Sequence, residues 1–454
     1  MRELVVTPFG FTPDNNDDEN QKPDDFAAMM RQMQEQIQKQ FQELGINPAG
    51  FINPFANFFP GGKGKQEALP QSVVRDTAKK FVQAQGSEPL GTNDVTVVKN
   101  ALEIAELWLN EATVFPATSS GTTPSSLSRL DWVDTTLPGW QATMEPLATG
   151  LASAISGLLD QAMAAQGAEA PEGEGEALAN SMGAIAGLLR SFIGSLIATQ
   201  LGQAIGSISA TATGAHDVAL PLLDPARPIL IPENIEKWST DLEIPKSEVY
   251  LFHALREAAI ARLFAHNPWI VGYIRSAIVE YGRGIHIDME AIQRQAFDAM
   301  QNFDPSQIDP TAGENSFTIA LNNGIFTPEE TPQQRAALSK LETALALVDG
   351  WADDVTNQAS GERLPAISQL REMFRRQRAT NAPAQQLFKS LLGLEVSPKL
   401  AREASAFWSK VREEKDVAAR DALWSGILPT AEEILDPLAF LSSTQVPDDL
   451  SGLL

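Results

Sequence analysis

The 454-residue chain contains no cysteine. Without a thiol it can form no disulfide, no thiolate zinc site and no cysteine nucleophile. It is also poor in basic residues: 34 Lys and Arg stand against 58 Asp and Glu, a formal net charge of −24. Such a balance repels phosphate backbones and anionic lipid headgroups and leaves no basic stripe, so nucleic acid is not an expected partner. The start, "MRELVVTPFG", has no apolar stretch long enough for a secretion signal, and the expected location is the cytoplasm. Several enzyme signatures are missing as well: the chain has no Gly-rich phosphate loop, no nucleophile elbow and no His–Cys pair.

What is present is mostly helical patterning at 43% hydrophobic content, enough for one large core or two medium ones. Residues 1–24 are polar and acidic, "PDNNDDENQKPDD", and read as a disordered tail. In the arm, 25–65, Phe26, Met29, Met30, Met33, Ile37, Phe41 and Leu44 recur at helical steps, and the connector "NPAGFINPFANFFPGGKGK" follows. The stripe predicts an amphipathic helix that packs on the body or on a partner. The body is expected over 70–454, with a core at 176–304 and C-terminal helices at 332–425. Within it, "TNDVTVVKNALEIAELWLNEAT" is expected to start at a cap on Thr92 or Asn93. The segment 166–177, "QGAEAPEGEGEA", reads as a solvated loop.

Residues 191–215 run about one membrane thickness without a charge. Gln200, Gln203 and several Ser and Thr make insertion costly, and glycines 183, 187, 194, 202 and 206 suit close helix approach, so a core helix is expected there rather than a span. Strand signals concentrate in "HDVALPLLDPARPILIPENI", where Val218–Leu223 and Ile229–Ile231 predict a small β-hairpin in an otherwise mainly α fold. The chain end, "STQVPDDLSGLL", could be held by a PDZ-containing protein that captures a free carboxylate, or it could simply pack on the body or fray.

The stretch "HALREAAIARLFAH", 253–266, carries the chemistry. A zincin helix places two histidines four residues apart on one metal, with a glutamate beside the first as general base. Here that frame reads Arg256, Glu257, Ala258, Ala259, Ile260. A guanidinium stays protonated and Ile has no lone pair, so the frame cannot hold zinc in the usual way and no cofactor is expected. Zinc held by His253, Glu257 and Glu280 is the alternative, since His253 and Glu257 lie one turn apart and Glu280 twenty residues after Ile260. His266 is about 20 Å along the helix from His253, too far to share an ion. His216 and His286 have no ligand-spaced partner. On the plain reading Glu257 pairs with Arg256 or Arg262, and Asp349 caps or pairs within a helix.

With "SRLDWVDTTLPGW" (128–140), "LREAAIARLFAHNPWI" and "ALVDGWADDVT" (346–356), the chain resembles the actinobacterial zincin-like family labelled hydrolase or zinc-dependent metalloprotease. The resemblance implies a zincin-like helical fold, Glu257 in the general-base position, Arg256 and Ile260 in ligand positions, and Glu280 and Asp349 as carboxylates that could complete a site. It implies two functions: a catalytically degenerate homologue serving as an interaction or scaffold protein, or a hydrolase with unconventional ligands or none.

Overall fold

A computed structural model describes residues 69–118, 125–167, 194–195, 197–240, 242–284, 331–381, 399–426 and 428–443. The tail 1–24, the arm 25–65, His286, most of the 166–177 loop and the last eleven residues lie outside the described part, as do the expectations attached to them. Among the described residues the fold is mainly α, as expected, and no helix is long and apolar enough to cross a membrane.

The first helix, α1 (Gln71–Gln85), buries Val74, Ala78 and Val82, which fall on one face at four-residue steps. Helix α2 (Thr92–Leu109) starts one residue earlier than a cap at Thr92 or Asn93 would allow. Gly91 is the cap residue, and its N–H donates to Asp94 Oδ2 at 2.8 Å, so the carboxylate three residues into the helix fixes the start. Helix α3 (Arg129–Gly167) is opened by reciprocal bonds between Ser128 and Asp131. The charge-free segment forms α4 (197–209), a core helix as expected. A Cβ at Gly202 would lie 2.7 Å from Val74 O of α1, and one at Gly206 would lie 2.8 Å from Phe81 Cβ, so the glycines let the two helices touch.

The hairpin does not form. Ala219 sits at φ +55°, which breaks an extended run at its second residue, and its N–H turns back to His216 O at 2.8 Å. Pro221 and Pro228 remove further ladder donors. The second apolar run does pair, but with other partners. Leu230 exchanges backbone bonds with Ser125 and Leu127 on one side, while Ile229 O and Ile231 N bond Ala215 and Thr213 on the other. The result is a knot of isolated bridges rather than a sheet.

After the short α5 (Pro232–Trp238) comes α6 (Lys246–His266), whose residues Val249 to Phe264 are all buried. A helix buried on every side is a core element, and α2, α5, α7 (Pro268–Arg283), α8 (Pro332–Ser360) and α9 (Ile367–Asn381) surround it. Helix α8 is started by a reciprocal Thr331–Gln334 capping box. It packs along α10 (Lys399–Glu414) around the buried Trp351, Trp408 and Trp424. Two short helices, α11 (Val417–Ala422) and α12 (Pro437–Ser443), close the C-terminal side.

Candidate functional site

Helix α6 presents the sequence 253–260 to the knot of bridges and to α8 and α9. Glu257 is 4% exposed, and both oxygens of its carboxylate accept hydrogen bonds. Oε1 accepts from the N–H of Ala215 at 3.0 Å and of Ile229 at 3.1 Å, and lies 2.8 Å from His216 Nδ1; Oε2 accepts from the His216 N–H at 3.0 Å. Four donors thus hold the carboxylate, three on Oε1 and one on Oε2, and none of them is an arginine. The sequence expectation of a pair with Arg256 or Arg262 is therefore overturned. Three backbone N–H groups from two segments converge on Glu257, and a buried N–H must find an acceptor. Gly214 permits the approach, since a Cβ there would stand 2.2 Å from Glu257 Oε2. The carbonyl of Gly214 accepts from Trp132 Nε1, which ties the "SRLDW" motif to the same knot.

The two ligand-frame residues go different ways. Ile260 is buried at the wall of a small cleft. Arg256, 5% exposed, bonds Asp349, sits 3.7 Å from Asp353 Oδ1, and lays its guanidinium 4.1 Å over the Phe374 ring. Asp349 therefore reaches across to α6 instead of pairing within its own helix. Asp353 is shared by Arg371, Arg375 and Ser405; burial opposes its ionisation, but the arginines outweigh burial and hold its carboxyl well below the usual range. Arg262 turns the other way, to the Glu106 side chain and carbonyl of α2 and to Asn110.

The cleft is lined by Thr213, His216, Asp217, His253, Arg256, Glu257, Ile260, Phe374 and Arg378, and leaves about 10 Å³. His253, 2% exposed, lies among Trp238, Phe252 and Phe374. Burial pushes its pKa down to about 3; Asp217 pulls the other way, and Arg256 and Arg378 add to the depression. Asp217 accepts from the Thr213 N–H at 2.8 Å and pairs with Arg378 at 2.6 Å. Burial resists its charge, yet Arg378, the Thr213 bond, His253 and Arg256 together hold its carboxyl below the usual range.

Glu280, the third member of the alternative zinc set, is not on this cleft. Its carboxylate is on the surface, bonded to Ser276 and to Lys340 of α8. His266 is exposed and bonds Pro116 O while stacking on Phe115. Among the described residues no group of three or more His, Asp or Glu could hold a metal ion. With a guanidinium and a sec-butyl group in the ligand positions and a carboxylate already held by four donors between them, the donor set does not fit zinc. The sequence set His216 aside for lack of a ligand-spaced partner and gave no sign of Asp217 or Arg378, all brought to α6 from distant segments. The usable signal was that His216 is one of only four histidines and follows directly on "GA" after the small-residue helix.

A larger cleft of about 370 Å³ opens between the start of α2 and α5. Several of its charges are paired: Arg129 with Glu233, Glu236 with Lys246 and Tyr250, and Asp94 with the Gly91 N–H.

The zincin-like metallopeptidase family matches residues 71–441. The fold is also similar to that of a crystal structure described as "a putative hydrolase with a novel fold" from Chloroflexus aurantiacus, with TM-score 0.54 and 16% identity over 83% of this chain and all of that one. No curated protein matches the sequence. By a match that runs from α1 into α12 and includes the whole of α6 and the cleft, the chain belongs to the zincin-like metallopeptidase family.

Proposed function

We propose that this chain is a catalytically degenerate zincin-like protein that serves as an interaction or scaffold component. The observation that carries the reading is the occupation of Glu257. A general base needs an accessible lone pair to take a proton from water, whereas here three donors of the chain crowd Oε1, a fourth holds Oε2, and the side chain is 4% exposed. Arg256 adds a fixed positive charge in the place of a metal ligand, neutralised by Asp349. The binding surfaces in this reading are the acidic exterior implied by the net charge of −24 and the apolar stripe of the arm 25–65.

Elemental analysis of the full chain together with a pull-down from its native host tests the proposal. The expected result is no stoichiometric zinc, no zinc-dependent peptide hydrolysis, and a partner lost on deleting 1–65. About one zinc per chain, lost in His253→Ala or His216→Ala, would overturn it and favour a hydrolase with unconventional ligands.

A further inference from the structure

Two ring nitrogens of residues that line the small cleft have no partner among the described residues: Nε2 of His216 and Nε2 of His253, both buried. On His216 the tautomer follows from its neighbour. Nδ1 lies 2.8 Å from Glu257 Oε1, and an ionised carboxylate only accepts, so Nδ1 carries the proton and donates. An imidazole whose single proton sits on Nδ1 presents Nε2 as an acceptor. His253 is held neutral by burial and by the flanking Arg256 and Arg378. A buried polar nitrogen left without a partner is destabilising. We propose that the cleft binds one internal water, shared by Nε2 of His216 and Nε2 of His253, which rests on the reading above that this site holds no metal.

Size and charge both select this occupant. About 10 Å³ is the room one water needs and excludes anything larger. The surroundings that drive a proton off His253 also oppose a divalent cation, while Asp217 and Glu257 oppose an anion. Water is neutral and both donates and accepts. It gives one hydrogen to His216 Nε2, and it meets His253 Nε2 with its other hydrogen or a lone pair, whichever tautomer His253 adopts. Arg256 and Arg378 stand on the same wall as further donors.

The order Glu257, His216, water is that of a general-base relay. The relay is closed, however: His216 is 0% exposed and the cleft has no room for a substrate beside the water. The water therefore completes the hydrogen bonding of the knot instead of attacking a substrate.

Crystals of the full chain measured on both sides of the zinc absorption edge test this. The expected result is one peak within about 2.7–3.2 Å of both Nε2 atoms and no anomalous difference. An anomalous peak at about 2.1 Å from either nitrogen would overturn both the proposal and the metal-free reading. A dry cleft would overturn the proposal alone. In solution, His253→Phe should move the His216 Nε2 nitrogen-15 resonance downfield, as an acceptor nitrogen does when it loses a hydrogen bond. A resonance that stays in place in the folded variant would show that the two rings share nothing.

Discussion

Replacing Glu257 by glutamine separates a structural carboxylate from a catalytic one. The glutamine has the same shape but one acceptor oxygen instead of two, and its NH₂ must face an N–H group. The least costly orientation leaves the Ala215, Ile229 and His216 Nδ1 donors on the remaining oxygen and sets the NH₂ against the His216 N–H, now 3.0 Å from a donor. Three bonds lose the charge assistance that separates about 1.5–3 from about 0.5–1.5 kcal/mol, roughly 1 kcal/mol each. One buried N–H is also left unsatisfied, at about 1–3 kcal/mol. The sum is about 4–6 kcal/mol, and with a urea slope of about 3 kcal/mol/M the unfolding midpoint falls by more than about 1 M. The indole N–H resonance of Trp132 is a local reporter, because its Nε1 donates to Gly214 O in the same knot. A folded Glu257→Gln chain with an unchanged midpoint would refute the structural account, and loss of a hydrolytic activity at unchanged stability would point to a general base instead.

Stability should also fall with acid through His253. Its folded pKa, about 3, lies below the ordinary 6.5, so between those values the unfolded chain binds the proton that the folded chain refuses. That contribution is fully present above about pH 6.5 and is lost at about 1.4 kcal/mol per pH unit below it, so His253→Phe should flatten the slope of unfolding free energy between pH 6.5 and 5; parallel slopes would show the ring is not held neutral. Gly214→Ala, whose Cβ would meet Glu257 Oε2 at 2.2 Å, should cost about 3 kcal/mol in a urea titration, and a neutral result would mean the turn has room to move. Asp353→Asn, which leaves Arg256, Arg371 and Arg375 without their shared counter-ion, should cost about 3–5 kcal/mol by the same assay, and a change under about 0.5 kcal/mol would make the cluster a solvated one.

Local signals in the sequence carried the helices and the position of Glu257, because helical period and the 256–260 frame are properties of neighbouring residues. The resemblance to zincin-like proteins held for the same reason. Long-range pairing was not legible. Glu257 finds His216 across 41 residues and Arg262 finds Glu106 across 156, and no spacing rule reaches that far, so adjacent arginines stood in as partners. The hairpin misreading had a conformational cause: Val218–Leu223 has strand composition, but a left-handed Ala219 and intervening prolines turn the chain away, and Ile229–Ile231 pairs with segments near 126 and 214 instead. His216 was dismissed for lacking a ligand-spaced partner, whereas its partner is a carboxylate on another element.

The guanidinium of Arg256 between Asp349 and Asp353 has a consequence for how this fold lives in a cell. A metal centre is loaded and lost with supply, chelation and competition from other ions, and a fold that leans on it inherits those fluctuations. A positive charge built into the polypeptide arrives with translation, survives any chelator and keeps its proton at every physiological pH. Treatment that strips divalent ions from the medium should therefore leave the α6–α8 contact intact. That permanence has a converse: no change in metal availability can switch the contact off.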